Sequence, residues 1–172
     1  MNAELARAES LIASIPDYPQ PGILFRDITP LLADATALRA TTEALVEPFA
    51  GSFDVVAGIE ARGFILAGAA AITAGVGFVP IRKAGKLPRP AASVDYALEY
   101  GTATVEMHDD LPAGTRILLI DDVLATGGTL SAGREIVTRL GFAMAGISVL
   151  FEIEGLGGRE VIGDLHTVFR SA

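Results

Sequence analysis

The apolar residues of this chain fall into short runs separated by stretches of helical spacing. The clearest run is Ile117-Leu118-Leu119-Ile120, four in succession, which reads as a strand buried on both faces, as in a parallel sheet. The strand is expected over 116–120, followed by a helix over 130–140 and a further strand over 145–151. Upstream, the pattern predicts helices over 5–14 and 35–49 and an extended, proline-punctuated segment over 16–21. A strand over 53–59 should end at Glu60. Residues 63–81 carry no charge and are nearly long enough to span a bilayer. They consist largely of Ala and Gly, however, and Gly75, Gly77 and Pro80 interrupt the second half. The segment reads better as a buried helix over 64–74, whose small residues pack closely on a sheet, and a strand over 76–81. A loop around 88–92 precedes a hairpin of 96–100 and 102–107 across Gly101. Strands alternating with helices imply right-handed crossovers and a mostly parallel sheet, an α/β fold. No repeat, low-complexity tract or linker interrupts residues 1–172, so a single domain is expected.

Composition narrows the function classes. A length of 172 residues fits one domain with a sizeable core, and 51% hydrophobic with 20% charged residues is globular. The net charge of −8 argues against a general nucleic-acid binder or a ligand for anionic membranes. The absence of cysteine excludes disulfides and thiolate metal sites and suits a reducing cytoplasm. The first ten residues are amphipathic with early acids, unlike the apolar core of a signal peptide. Charge is also unevenly placed. Between Glu60 and Asp95 there is no acid, while Arg62, Arg82, Lys83, Lys86 and Arg89 fall within that stretch. A local basic island on an acidic chain calls for a local anionic ligand.

The densest candidate chemistry lies where the 116–120 strand should stop. Asp121 and Asp122 come at once, then Val123-Leu124-Ala125-Thr126-Gly127-Gly128-Thr129, then the helix. In open α/β sheets, ligands bind beyond the carboxyl ends of strands. The Thr-Gly-Gly-Thr loop can turn tightly and aim successive backbone N–H groups into one concavity, and the following helix adds its positive dipole end. Ionised carboxylates accept hydrogen bonds from sugar hydroxyls. Acids beside a phosphate nest describe a pocket for a ribose 5-phosphate. An ordinary strand end with a glycine turn would need neither both acids nor both threonines. The run is neither a P-loop, since no Gly-Lys-Ser/Thr follows, nor a G-x-G-x-x-G fingerprint. His108 and His166 fit no catalytic pattern.

The run closely resembles the phosphoribosyl-pyrophosphate (PRPP) motif of the type I phosphoribosyltransferases. Three further stretches narrow the resemblance to the adenine branch of that family. They are Pro16 to Pro30, read as PDYPQPGILFRDITP; Ile81-Arg82-Lys83-Ala84-Gly85-Lys86-Leu87-Pro88; and Tyr96-Ala97-Leu98-Glu99-Tyr100-Gly101. With Glu60-Ala61-Arg62-Gly63-Phe64 they fall in the family's order, and the resemblance covers about residues 12 to 161. Ala84 stands where family members vary.

The resemblance implies a type I phosphoribosyltransferase fold, a central mostly parallel sheet flanked by helices, with residues from about 1 to 34 forming a small base-binding hood. It implies the reaction of adenine with PRPP to give AMP and diphosphate in purine salvage, with Mg²⁺ bound mainly through substrate and no dedicated protein metal cage. Asp121 and Asp122 would hold the ribose hydroxyls, and Ala125, Thr126, Gly127, Gly128 and Thr129 the 5-phosphate. Arg62, Arg82, Lys83 and Lys86 would serve the diphosphate, Arg82 reaching across a homodimer. Leu24, Phe25, Arg26 and Ile153 would line the adenine, Glu99 would transfer the proton, and Tyr100 would belong to a mobile flap. Neither nucleic acid nor membrane is an expected partner. A phosphoribosyltransferase for another purine such as xanthine, or a PRPP-sensing regulator without turnover, are the competing readings. Glu99 speaks against the regulator, because a sensor has no need of a proton-transfer group.

Overall fold

The computed structural model describes residues 2–171 apart from Pro19, Ile23 and 98–100, with Ser171 described by its backbone. The chain divides into two compact units, Met1–Ala44 and Leu45–Ala172. In the first, helix α1 (Ala3–Ser10) starts at Asn2, whose side-chain oxygen accepts from the Leu5 N–H at 2.8 Å, an N-cap. The helix is shorter than the 5–14 expected. Ala13–Pro16 leaves it as strand β1 and pairs antiparallel with β2 (Leu24–Asp27), Ile15 opposite Phe25. Apolar residues at 11, 12 and 15 suit either period, and the strand partner decides between them. Helix α2 (Thr29–Ala33) follows, and α3 (Ala35–Val46) begins with the Thr36 and Ala37 N–H groups donating to Asp34 Oδ1 at 3.1 and 2.9 Å. A 3-10 turn (Glu47–Phe49) extends α3, close to the end expected from the sequence.

The second unit alternates strands and helices: β3 (Val55–Ile59), α4 (Arg62–Ala74), β4 (Gly77–Lys83), β5 (Ala92–Ala97), β6 (Thr102–Met107), β7 (Arg116–Leu124), α5 (Gly128–Arg139), β8 (Ala143–Ile153), α6 (Gly158–Ile162) and β9 (His166–Ser171). Among the described residues these strands form one seven-stranded sheet in the order β5-β6-β4-β3-β7-β8-β9. The strands from β4 to β9 in that order are parallel, and β6 and β5 add antiparallel at the β4 edge. Ile117, Leu118, Leu119 and Ile120 are fully buried in central strand β7, which confirms the two-faced burial expected of them.

Three departures bear on function. Strand β7 does not stop at Ile120; pairing with the long β8 carries it to Leu124, with Asp121 opposite Val149 and Leu124 opposite Glu152. The acid pair therefore sits within the strand, held by a ladder. The β5–β6 hairpin begins at Ala92 rather than at 96, and residues 98–100 of the expected hairpin lie outside the described residues. Helix α6 and strand β9 were not expected. Their apolar residues are few and follow several glycines, but β9 pairs parallel with β8 and buries Phe169.

The uncharged 63–81 segment is α4 followed by β4, and no helix among the described residues is long and apolar enough to cross a membrane. Small residues here allow close approach: a Cβ on Gly58 of β3 would lie 2.6 Å from Ala67 Cβ and 2.8 Å from the Gly63 carbonyl. Neither neighbour is a side-chain tip that can swing aside. Gly58→Ala is expected to cost about 1–3 kcal/mol by overpacking. Scanning calorimetry should find its thermal midpoint several degrees lower; an unchanged midpoint would mean that β3 and α4 have room the distances deny.

Candidate active site

The carboxyl ends of β3, β4 and β7 open onto a cleft of about 370 Å³. It brings together Arg62, Lys83, Asp121, Asp122 and the whole loop Ala125, Thr126, Gly127, Gly128 and Thr129, all singled out from the sequence. The cleft walls also include Glu60, Tyr96 and Val123, which sequence reasoning left without a role.

The acid pair is built against the first turn of α4. A Cβ on Gly63 would fall 2.7 Å from Asp121 Oδ1 and 3.2 Å from the Ile120 carbonyl, so this turn can meet β7 only as glycine. Asp121 Oδ1 accepts the Asp122 N–H at 2.9 Å, and Arg62 Nε lies 2.7 Å from Asp122 Oδ2. Both acids are buried, each 7% exposed. Burial raises the Asp121 carboxyl well above the carboxylate range, and the charge of Asp122 beside it adds to the effect. Burial also raises Asp122, with Arg62 pulling the other way. Two acids that resist double ionisation in an apolar strand end are suited to polar, uncharged donors such as hydroxyls.

The loop beyond them is shaped as an anion nest. Gly127 has φ 84°, the left-handed region, and precedes α5 without a side-chain cap. The first intrahelical bond at that end runs from the Ser131 N–H to the Gly127 carbonyl at 2.9 Å. The N–H groups of Gly128, Thr129 and Leu130 therefore precede the helical ladder, at the positive end of a 12-residue helix. A Cβ on Gly127 would point at α6, 2.9 Å from the Gly158 carbonyl and 3.2 Å from Ile162. The nest is thus backed by another element.

The basic island is less free than its sequence suggests. Glu60 takes Lys86 Nζ on Oε1 at 2.7 Å and the Lys83 N–H on Oε2 at 3.0 Å, with Arg82 Nε at 3.5 Å. Arg82 Nη1 donates to the Lys86 carbonyl at 2.9 Å. Lys83 faces the cleft, whereas Arg82 and Lys86 are gathered on Glu60 at its margin. Burial raises the Glu60 carboxyl, but the donors from Lys86, Lys83 and Arg82 outweigh it and hold the carboxyl at about 2. The Glu60–Ala61 peptide, which leads into Arg62, is cis.

The remaining predicted residues are placed elsewhere. Ile153 ends β8 and borders a second cleft with Glu152 and Arg159. Leu24, Phe25 and Arg26 lie on β2 of the first unit, where Tyr18 meets the Phe25 ring edge-on at 5.2 Å. Glu99 and Tyr100 lie outside the described residues. His108 sits away from the acid pair, its Nε2 2.7 Å from the Pro88 carbonyl.

The family model for the phosphoribosyl transferase domain matches residues 28–164. The chain belongs to that family. It is 58% identical over 155 residues to adenine phosphoribosyltransferase of Renibacterium salmoninarum, covering 90% of this chain and 85% of that protein. Its fold follows the crystal structure of adenine phosphoribosyltransferase from Rhodothermus marinus with a TM-score of 0.92 at 46% identity, over 99% of this chain and 100% of that one. The enzyme of Giardia lamblia, solved with 9-deazaadenine, is similar with a TM-score of 0.90 at 39% identity, over 99% of each chain. The seven-stranded, mostly parallel sheet is thus the type I phosphoribosyltransferase fold that the motifs implied.

The Glu60 cluster carries a pH signature. A carboxyl held at about 2 in the folded chain contributes stability that is present above its ordinary value and lost as pH falls through the folded one. The urea midpoint advantage of the parent chain over Glu60→Gln should therefore be full at neutral pH and shrink between about pH 5 and pH 2. An advantage independent of pH would mean that the ionised carboxylate is not what gathers Lys86, Arg82 and the Lys83 N–H.

Proposed function

We infer that this chain is an adenine phosphoribosyltransferase, a pentosyltransferase that converts adenine and PRPP to AMP and diphosphate in purine salvage. The observation that carries the reading is the acid pair and the helix-headed nest facing one cleft, in a chain 58% identical to an adenine phosphoribosyltransferase. In that reaction the bond from C1 of ribose to the diphosphate oxygen breaks, a bond from C1 to N9 of adenine forms, and N9 gives up its proton.

The residue roles follow as proposals. Ala125 to Thr129 hold the 5-phosphate on backbone N–H groups and the two threonine hydroxyls. Asp121 and Asp122 hold the ribose hydroxyls. Arg62 and Lys83 meet the diphosphate, and Lys86 and Arg82 join them by leaving Glu60. Leu24, Phe25, Arg26 and Ile153 form the adenine subsite, with residues 1–34 as its hood within one phosphoribosyltransferase domain. Glu99 accepts the N9 proton under a flap that includes Tyr100. In support of that assignment, Tyr96 faces the cleft, and a Cβ on Gly128 would lie 3.1 Å from the Ala97 carbonyl, two residues before Glu99. Mg²⁺ is proposed to bind mainly through substrate oxygens, where it would neutralise charge on the departing diphosphate. A cytoplasmic setting is proposed on the cysteine-free composition.

A homodimer is proposed on the outer face of α4. Ile72 is 83% exposed and Ile65, two turns before it on the same helix, 49%, and Phe78 on the following strand β4 is 38% exposed. Sedimentation should find a dimer for the parent chain and a monomer for Ile72→Glu. A monomeric parent that is fully active would overturn this assignment.

The activity is tested by supplying PRPP and Mg²⁺ with each purine in turn. Adenine is expected to be the base consumed; preference for xanthine or hypoxanthine would transfer the reading to another purine, and no turnover with any base would favour a sensor. In the same assay Glu99→Gln should lower kcat at least about tenfold, the low side of what an acid–base group contributes. PRPP affinity should remain near that of the parent. A kcat equal to the parent's, with chemistry rate-limiting, would return Glu99 to a surface role.

A further inference from the structure

Helix α6 meets the phosphate loop backbone to backbone. A Cβ on Gly158 would overlap the Ala125 carbonyl and lie 2.8 Å from Leu124 Cδ1, and the Gly158 carbonyl in turn sits where a Cβ of Gly127 would point. The nearest atom on each side is a backbone carbonyl, that of Ala125 for Gly158 and that of Gly158 for Gly127, so a displacement of α6 passes directly into the nest. With five residues, α6 is too short to hold its own position. Two arginines fasten it. Arg159 forks onto Glu152 of β8, Nε to Oε1 at 2.8 Å and Nη2 to Oε2 at 2.6 Å, and also donates to Thr167 Oγ1 of β9 at 2.9 Å and to the Leu165 carbonyl at 3.3 Å. Glu152 is 9% exposed, and Arg170 approaches its Oε2 at 3.3 Å. At the other end Arg134, from the helix whose N-terminus heads the nest, donates to the Ile162 carbonyl at 2.9 Å.

We propose that Arg159 and Arg134 are positioning residues for the 5-phosphate, acting through α6 on the Ala125–Thr129 loop. They touch no substrate atom. Their effect is to keep the nest's N–H groups aimed at one point, where a misplacement of about 1 Å is enough to cost a large factor in binding or rate. The inference rests on the phosphoribosyl reading of the cleft.

The test is titration calorimetry with ribose 5-phosphate, together with steady-state kinetics, on the parent chain, Arg159→Met, Arg159→Lys and Arg134→Met. Ribose 5-phosphate affinity and KM for PRPP should each worsen about tenfold in the two Met variants, with KM for adenine unchanged. Arg159→Lys should fall between, because one ammonium restores the charge beside Glu152 but not the fork. A purely structural role would lower the active fraction and leave both KM values alone, and that result overturns the proposal. Arg159→Met leaves a buried carboxylate with less compensation; should it fail to fold, Arg134→Met, which keeps the Glu152 fork intact, decides the matter. Ribose 5-phosphate carries no base, so this readout stands even if adenine is not the base consumed. A parent chain that binds no ribose 5-phosphate removes the nest and this inference with it.

Discussion

Two carboxyl groups buried side by side within a central strand are expensive, since each loses its hydration and each repels the other's charge. Asp121 and Asp122 are in that position, and much of the second unit answers it. Arg62 supplies the opposite charge at 2.7 Å from Asp122, and Gly63, the next residue, lets the first turn of α4 come close enough for it to do so. The same closeness continues up α4, where Gly58 and Ala67 remove the side chains that would otherwise separate helix from sheet. The acids, the arginine and the small residues form one arrangement: a glycine at the first turn of the helix lets Arg62 face the buried acid pair.

On the other flank of β7 the constraint is different in kind. A nest of backbone N–H groups has no side chains with which to brace itself, so its shape depends on what lies behind it. Here that is α6, pressed against Ala125 and Gly127 at two glycine contacts and tied to β8, β9 and α5 by arginine. The cleft therefore has one wall in which an ion pair stands at the cleft itself and another in which the ion pairs stand behind the backbone packing.

Glu60 gives the basic island its resting form. Its carboxylate collects Lys86, the Lys83 N–H and Arg82 at the cleft margin. The Lys86 and Arg82 side chains are thereby ordered at the cleft margin rather than spread in solvent, and the ion pairs offset the entropy that fixing long side chains costs.

Much of this was legible in the linear chain. The run from Ile117 to Thr129 joined a buried strand, two acids and a glycine-rich helix entry, and each is a local property: burial shows in an unbroken apolar run, and a nest shows in small residues before a helix. The family resemblance then singled out Arg62, Lys83 and the segment 24–26 as candidates, and the comparisons bear out the fold and the family. What the chain could not show is where neighbouring strands end. Strand β7 extends past the acids because β8 is there to pair with it, and β1 replaces the end of a helix because β2 lies opposite. The partnership of Glu60 with Lys86 spans 26 positions, and that of Gly158 with Ala125 spans a helix and a strand; neither leaves any periodicity. Sequence alone determined which groups are candidates to meet a ligand, because those groups are clustered in short motifs whose chemistry is local. Tertiary structure alone decided how those motifs are held, because the bracing residues are drawn from distant elements and chosen by packing distance, which no order of residues records.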